Sequence, residues 1–303
     1  MPKSRATFLF FILATLLFCS LAACTPASAG PGTSSGILVV AAENFYGDIF
    51  KQLGGSHVSV TSILSDPNAD PHEYESNVQD ALAVSKASIV IENGAGYDSW
   101  MDKLLSASPN GNRIVLVASD IANHKLPDNP HVWYGIDNIS TIATAMTAAL
   151  KKQDSADATA FDNNLQTFLH SLAPISQKMS AIKAKYAGTP VGLTEDIYLY
   201  QAIPLGLNVL TPFDFQKAIA EGNDPPANTV TTANMQINQH QIHVLIYNEQ
   251  TITPITTNLE NAARQQHIPI VPVTETMPQG KMYQQWMLDQ LNTLEQALMQ
   301  SSS

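Results

Sequence analysis

Residues 37–63, ILVVAAENFYGDIFKQLGGSHVSVTSI, contain two short apolar runs separated by a stretch with helical spacing. The first run, ILVVA at 37–41, and the second, VSVTSI at 58–63, have the length and the β-branched composition of buried strands. Residues 45–53 between them predict a helix. A strand, a helix and a second strand in this order are typical of parallel α/β layers.

Six further apolar runs continue this alternation along the chain: residues 88–91, 113–117, 190–194, 208–210, 243–247 and 268–273. Residues 138–185 interrupt the series, because they contain no strand-like run and their apolar residues recur at three- and four-residue steps. Pro174 should kink or interrupt that helical stretch. The pattern predicts an α/β protein with four strands in each half, one long helix between the halves and an amphipathic helix at 283–299.

The first residues have the features of an export signal. Two basic residues precede an almost unbroken apolar run at 8–18, which is shorter than the roughly 20 residues that a membrane span needs. The sequence Leu-Ala-Ala-Cys at 21–24 resembles a bacterial lipobox, in which Cys24 is lipidated and becomes the mature N-terminus. The alternative is an ordinary signal peptide with an unrelated cysteine. Residues 25–35, rich in Pro, Ala, Gly and Ser, predict a flexible tether above a membrane surface.

These features predict a chain divided into five segments. They are a signal peptide (1–23), a lipidated cysteine with its tether (24–35), an N-terminal α/β domain (36–155), a connecting helix (156–186) and a C-terminal α/β domain (187–303). The only other cysteine, Cys19, would leave with the signal peptide, so no disulfide can form within the mature chain. Any metal site must therefore use histidine and carboxylate ligands.

The overall charge restricts the partners of the chain. It carries 26 acidic and 15 basic residues, with a formal net charge of −11 at pH 7. Such a balance argues against binding to nucleic acid or anionic lipid and is compatible with the capture of a cation. Acidity is common among extracytoplasmic proteins, so it does not by itself identify a ligand.

Four side chains with metal-binding chemistry follow predicted strands. His72 lies in the loop after the second strand and His131 in the loop after the fourth, whereas Glu195 and Glu275 follow strands of the second half. In open α/β sheets, ligands bind beyond the carboxyl ends of the strands. Two halves that face each other could bring two imidazoles and two carboxylates around one ion, and the carboxylates would neutralise a dication.

Several motifs around these residues occur together in one known family. Residues 65–75, SDPNADPHEYE, resemble the first metal-ligand motif of the zinc/manganese solute-binding lipoproteins of ABC importers, the TroA-like cluster A-I proteins. Residues 91–100, IENGAGYDSW, resemble that family's N-G-x-G-x-E-x-W segment, and residues 129–133, NPHVW, its D-P-H-V-W motif. Residues 195–207 match the spacing of its H/E-x-A-F-x-Y segment and the Y-G-L that follows. Glu275 falls where the family places its last ligand.

The resemblance implies two α/β domains joined by one long rigid helix, with an ion bound between them by His72, His131, Glu195 and Glu275. It also implies a monomer that is not an enzyme, located on the outer face of the cytoplasmic membrane (extracellular or periplasmic), with an ABC transporter permease as its partner. Two departures from the family pattern stand out. Glu275 occupies a position that is usually aspartate. Asn129 replaces an aspartate of the second histidine motif, which weakens a partner expected to orient His131.

The ligand set favours manganese over zinc as the cargo. In the family, a glutamate at the position of Glu195 goes with manganese and a histidine there goes with zinc. Residues 119–129 contain only His124, whereas zinc members often carry a His-rich acidic loop in that place. Zinc would still bind such a site strongly, so Zn²⁺ stays an alternative to Mn²⁺, and Fe²⁺ is a further one.

Two other functions fit part of the pattern. A secreted metal-dependent hydrolase would need an open coordination position and a nearby base, but the chain contains no H-E-x-x-H and no G-x-S-x-G. A surface adhesin of the same family would support cell adhesion without requiring the four ligands. We predict a binding protein that captures a divalent metal ion and hands it to a membrane permease.

Overall fold

The computed structural model describes residues 36–66, 74–123, 126 and 128–301. The predicted signal peptide and tether lie outside these residues. The first half of the chain alternates strands and helices as predicted. Its elements are β1 (Ile37–Glu43), α1 (Asn44–Gly54), β2 (Val58–Leu64), α2 (Val78–Lys86), β3 (Ile89–Glu92), α3 (Ser99–Ala107), β4 (Ile114–Val117), α4 (Ala118–Ile121) and α5 (Ile136–Gln153).

Two helices, α6 (Ala158–Ser171) and α7 (Ala173–Tyr186), lead to a second half with the same alternation. Its elements are β5 (Pro190–Leu193), α8 (Leu199–Leu205), β6 (Asn208–Val209), α9 (Phe213–Ala220), α10 (Ala227–Asn238), β7 (Val244–Asn248), α11 (Pro254–Gln265), β8 (Ile270–Val273) and α12 (Tyr283–Ser301). Within the described part of the chain, no helix has the length and apolar character required to cross a membrane.

Each half contains one four-stranded parallel sheet, and the two sheets share one strand order. The orders are β2-β1-β3-β4 and β6-β5-β7-β8. In the first sheet Val39 pairs with Val60 and Ile89, and in the second Val191 pairs with Val209 and Val244. Because the strands of each sheet are parallel, their carboxyl ends meet at one edge of that sheet. The predicted α/β architecture with two four-stranded sheets is confirmed.

The side chains of β1 show why these short apolar runs form buried strands. Val39 and Ala41 pack into the main hydrophobic cluster, whereas Val40 and Ala42 pack with Trp100 on the opposite face of the sheet. Successive side chains of a strand point to opposite faces, so a strand with helices on both sides must be apolar throughout. The main cluster includes residues of both halves, and the division into two domains stays a prediction.

Residues 156–186 form two consecutive helices where the periodicity predicts one long helix. Leu172 lies between α6 and α7 and keeps near-helical dihedral angles, with φ −81° and ψ −15°. Pro174 occupies the second position of α7, where its missing N–H leaves no intrahelical hydrogen bond unmade. The predicted interruption at this proline is therefore present, and the helix ends just before it.

Polar contacts join the first half to the segment after β8 and to the first residue of α12. The Tyr283 hydroxyl donates to the carbonyl oxygen of Trp133 at 2.6 Å. Asn44 and Met277 exchange two hydrogen bonds, from Asn44 Nδ2 to the Met277 carbonyl oxygen at 2.7 Å and from the Met277 N–H to Asn44 Oδ1 at 2.9 Å. These contacts hold the residues that follow β1 and β8 against one another.

Candidate metal centre

His131 is fully buried in the loop between α4 and α5. Its Nδ1 lies 3.0 Å from Asn129 Oδ1, which also accepts the backbone N–H of His131 at 3.0 Å. Asp196 Oδ1 lies 3.2 Å from the same Nδ1. Two oxygens beside Nδ1 favour the tautomer with its proton on that nitrogen, which makes Nε2 the electron-pair donor toward a cation.

The loop that carries His131 is held from both halves of the chain. Asn93, which follows β3, donates through Nδ2 to the carbonyl oxygen of Pro130 at 2.9 Å. Asn129 Nδ2 donates to the carbonyl oxygen of Asp196, in the second half, at 2.7 Å. The two residues that precede His131 are therefore held by hydrogen bonds to both halves of the chain.

Glu275 follows β8 and is fully buried. Its Oε2 accepts the hydroxyl of Tyr97, from the first half, at 2.7 Å, and its Oε1 accepts Asn248 Nδ2 at 2.6 Å. The Glu275 N–H donates to Gln250 Oε1 at 2.6 Å. The carboxylate is therefore oriented by donors from both halves and by its own backbone.

Glu195 follows β5 and is 1% exposed. Among the described residues, neither of its carboxylate oxygens has a hydrogen-bond partner, since Asn248 Nδ2 donates to Glu275 and to Thr251 Oγ1, the latter at 2.9 Å. Burial raises the pKa of Glu195 well above its usual range, and the negative charge of Glu275 raises it further, with Asn248 and Thr251 opposing. A buried carboxylate without a donor needs a proton or a cation.

Tyr97 contacts two of the predicted ligands, and the third interacts electrostatically with one of them. The Tyr97 ring centroid is 5.9 Å from that of His131, its hydroxyl donates to Glu275, and the charges of Glu275 and Glu195 interact. In the described structure, the ligand atoms of these three residues do not all lie within 4.8 Å of one another. His72 and Cys24 lie outside the described residues, so their predicted roles stay predictions.

Another group of potential ligands lies elsewhere. His57, Asp154 and Asp157 each offer one atom, and within the described part of the chain these three atoms lie within 4.8 Å of one another. His57 Nδ1 is 2.8 Å from Asp157 Oδ2, and all three residues are partly exposed. Partly exposed histidine–aspartate pairs are common without an ion, so this group provides a control for the buried site.

Three residues near the predicted ligands escaped the sequence analysis: Tyr97, Asp196 and Asn248. Asn248 ends β7 and Asp196 comes directly after Glu195, so both lie at the carboxyl edge where ligands were expected. That position was the available signal for them. Tyr97 lies in the segment 91–100 that resembles the family, but its contact with Glu275 joins residues that are distant in the sequence and no local pattern indicates it.

A second set of acidic side chains lies at the carboxyl edge of the first sheet. Asp98 accepts the N–H groups of Asn93 at 2.6 Å and Gly94 at 2.8 Å. Gly94 has φ +75°, and a Cβ there would lie 2.4 Å from Val117 Cγ1, so this turn requires glycine. Burial and then the charge of Asp98 raise the pKa of Glu43 well above its usual range, and among the described residues neither carboxylate oxygen of Glu43 has a hydrogen-bond partner.

A cavity of about 370 Å³ opens between the halves beside His131. Its lining includes Tyr97, Pro130, Asp196 and Lys217. Lys217 Nζ is 3.4 Å from Asp128 Oδ2, a partly exposed ion pair that joins the two halves and also lines the cavity. The cavity therefore borders Tyr97 and Asp196, the residues that contact Glu275 and His131.

Comparisons with known proteins agree with this geometry. The family model described as zinc-uptake complex component A, periplasmic (ZnuA), matches residues 39–297. The metal ABC transporter substrate-binding lipoprotein ScbA of Streptococcus cristatus and the manganese ABC transporter substrate-binding lipoprotein ScaA of Streptococcus gordonii are each 27% identical over 195 residues. Each alignment covers 60% of this chain and 62% of the relative.

The fold of the chain also matches a solved structure. The periplasmic zinc-binding protein TroA of Treponema pallidum has a TM-score of 0.72 and 18% identity, over 87% of this chain and 99% of that one. At this identity the match establishes the fold. The predicted choice of a binding protein over an enzyme is confirmed by the family. The chain belongs to the family described as zinc-uptake complex component A, periplasmic (ZnuA).

Proposed function

We propose that this chain captures Mn²⁺ between its two halves and delivers it to an ABC transporter permease in the cytoplasmic membrane. Zn²⁺ is the alternative cargo and Fe²⁺ a further one. The observation that carries this proposal is the burial of Glu195 and Glu275 beside His131, with all three at most 1% exposed. Two interacting carboxylates in a buried place destabilise the fold unless a positive charge compensates them.

The proposed ligands are His72, His131, Glu195 and Glu275. Two imidazoles and two carboxylates suit a first-row divalent ion, and two oxygen-donating side chains favour a harder ion such as Mn²⁺. One relative carries manganese in its name and the similar solved structure carries zinc. Zinc binds most sites of this kind more tightly than manganese, so affinity in solution must be weighed against the metal available to the cell.

The proposed location follows from the amino-terminal sequence and the names of the relatives. Cys24 would carry the lipid that anchors a monomeric chain on the outer face of the cytoplasmic membrane. The two streptococcal relatives are named as lipoproteins of ABC transporters. Release of the ion would then require the permease to move the ligands of one half relative to those of the other.

Thermal unfolding of the metal-free chain in the presence of single metal ions tests the proposal. A ligand that binds only the folded state stabilises it by about 2.7 kcal/mol at one hundred times its Kd. For a chain of this size, that gain raises the unfolding midpoint by roughly 5–10 °C. We expect such a rise with Mn²⁺ and Zn²⁺ and a much smaller one with Ca²⁺ and Mg²⁺, which prefer sites made only of oxygen.

Two matched histidine variants locate the binding site. His131→Ala should abolish the rise in midpoint, whereas His57→Ala should retain it, because His57 belongs to the partly exposed group away from the buried carboxylates. The same loss is expected for His72→Ala. If no ion raises the midpoint of the unaltered chain, or if only His57→Ala removes the effect, the proposed site is wrong.

A further inference from the structure

The contact between His131 and Asp196 joins the two halves inside the protein. Asp196 Oδ1 lies 3.2 Å from His131 Nδ1, and the side chains are 1% and 0% exposed. By geometric criteria this oxygen has no hydrogen-bond partner among the described residues. A buried carboxylate oxygen placed against one imidazole nitrogen interacts with that ring far more strongly than an exposed pair would.

We propose that Asp196 is a positioning residue that fixes His131 for metal binding and strengthens it as a ligand only when the two halves are together. This inference rests on the proposed function, in which His131 binds the ion. Asp196 lies against the Nδ1 side of the ring, which leaves Nε2 as the electron-pair donor toward the ion. Its negative charge also increases the electron density that Nε2 donates.

The need for such a residue follows from Asn129. The Asn129 amide oxygen lies 3.0 Å from His131 Nδ1 and orients the ring, but an amide carries no net charge. A carboxylate at the same nitrogen provides both orientation and charge. In this chain, the charged group comes from the segment after Glu195, in the other half, and Asn129 Nδ2 holds that segment by donating to the Asp196 carbonyl oxygen at 2.7 Å.

This arrangement couples the strength of a ligand to the contact between the halves. His131 belongs to the first half and Asp196 to the second, so a movement that separates them removes the charge beside Nδ1. The Nε2 donor then weakens at the moment when the ion must leave. A carboxylate at position 129 would move with His131 and could not provide this coupling.

The test compares Mn²⁺ binding by the unaltered chain, Asp196→Asn and the double variant Asn129→Asp/Asp196→Asn. The double variant keeps the net charge of the unaltered chain and returns a carboxylate to His131 Nδ1 from its own loop. Asp128→Asn is the matched control, because Asp128 also lines the cavity and loses one charge, but it pairs with Lys217. Thermal unfolding of each metal-free variant checks its fold.

Removal of a charged partner from a ligating histidine typically lowers metal affinity about 10- to 100-fold, and we expect that loss in Asp196→Asn. The double variant should recover most of the affinity, and Asp128→Asn should change it much less. The visible absorption of bound Co²⁺ should keep its band positions in Asp196→Asn, because the ligands themselves are unchanged. Dissociation of the ion should be faster in this variant than in the unaltered chain.

Unchanged affinity in Asp196→Asn would overturn the proposal. A loss that the double variant does not recover, together with shifted Co²⁺ bands, would make Asp196 a direct ligand and would also overturn it. If Asp196→Asn does not fold, Mn²⁺ binding by the double variant tests the proposal. The proposal requires this variant to bind Mn²⁺, because the carboxylate at position 129 then takes the place of Asp196. Failure of the unaltered chain to bind any ion would instead refute the proposed function.

Discussion

Both sheets end in buried carboxylates, and at each edge one carboxylate has hydrogen-bond donors and another has none. At the first edge, Asp98 accepts two backbone N–H groups, whereas Glu43 has no hydrogen-bond partner among the described residues. At the second edge, Glu275 accepts a hydroxyl and an amide, whereas Glu195 has no hydrogen-bond partner among the described residues. The edges differ in the origin of the donors, which come from the turn before Asp98 at the first edge and from both halves of the chain at the second.

All four side chains are nearly inaccessible to solvent, so burial does not distinguish structural acids from candidate ligands. Hydrogen bonding does not distinguish them either, because Glu43 and Glu195 both lack a partner among the described residues. The candidate ligands differ in lying where the two halves meet, since Tyr97 of the first half contacts both Glu275 and His131. Two pairs of substitutions and one pH series test this comparison.

The largest effect is expected for Glu195→Gln. This change removes a proposed ligand, so Mn²⁺ affinity should fall by at least about 100-fold, beyond the usual loss for a residue that only supports a ligand. The metal-free chain should be as stable as before or more stable, because Glu195 and Glu275 no longer repel each other. Titration calorimetry and thermal unfolding of the metal-free protein measure the two quantities.

Glu43→Gln is the matched control, since Glu43 is also fully buried and also has a raised pKa. It should retain Mn²⁺ affinity close to that of the unaltered chain. Equal losses of affinity in Glu43→Gln and Glu195→Gln would show that the two edges do not differ as described.

A smaller and different effect is expected for Glu275→Gln. One carboxylate oxygen becomes an amide nitrogen and can no longer accept the Tyr97 hydroxyl or Asn248 Nδ2 in the same way. The metal-free chain should lose about 1.5–3 kcal/mol of unfolding free energy, as expected for a buried hydrogen bond to a charged group. Denaturant unfolding without metal would contradict the comparison if Glu275→Gln and Glu195→Gln behaved alike.

The smallest effect concerns Glu92, which ends β3. Burial, followed by the charges of Asp98, Asp102 and Asp120, raises its pKa from 4.5 to about 8. Between these values the folded chain holds a proton that the unfolded chain releases, so the free energy of unfolding should fall as pH rises through this range. Glu92→Gln removes this contribution, and its unfolding midpoint should decline less between about pH 5 and pH 8. An identical decline would assign the pH dependence to other groups.

Much of the fold was predictable from local pattern. The eight apolar runs became strands, with bounds that shifted by a residue or two, because a strand buried on both faces must be apolar throughout. The prediction of a single long helix was only partly right, because α6 ends before Pro174 and α7 begins one residue before this proline. Periodicity reports the buried face of a helix but is insensitive to one residue at which the helix stops and restarts.

The candidate site was also predictable only in part. His131, Glu195 and Glu275 could be proposed from residue type and from their positions after strands, because parallel strands bring their carboxyl ends to one edge. The sequence does not show which acids have hydrogen-bond donors or which of them face the other half of the chain. Glu43 also ends a strand and carries the same carboxyl group as Glu195.

Local sequence patterns specify the two parallel sheets, the helical segment between them and the polar residue types at the carboxyl ends of the strands. These properties depend on short-range periodicity and on the chemistry of single side chains. The folded chain alone reveals that Tyr97 donates to Glu275, that Asp196 lies against His131 and that Glu195 has no donor among the described residues. Each of these depends on the packing of one half against the other, which brings together side chains that no local pattern relates.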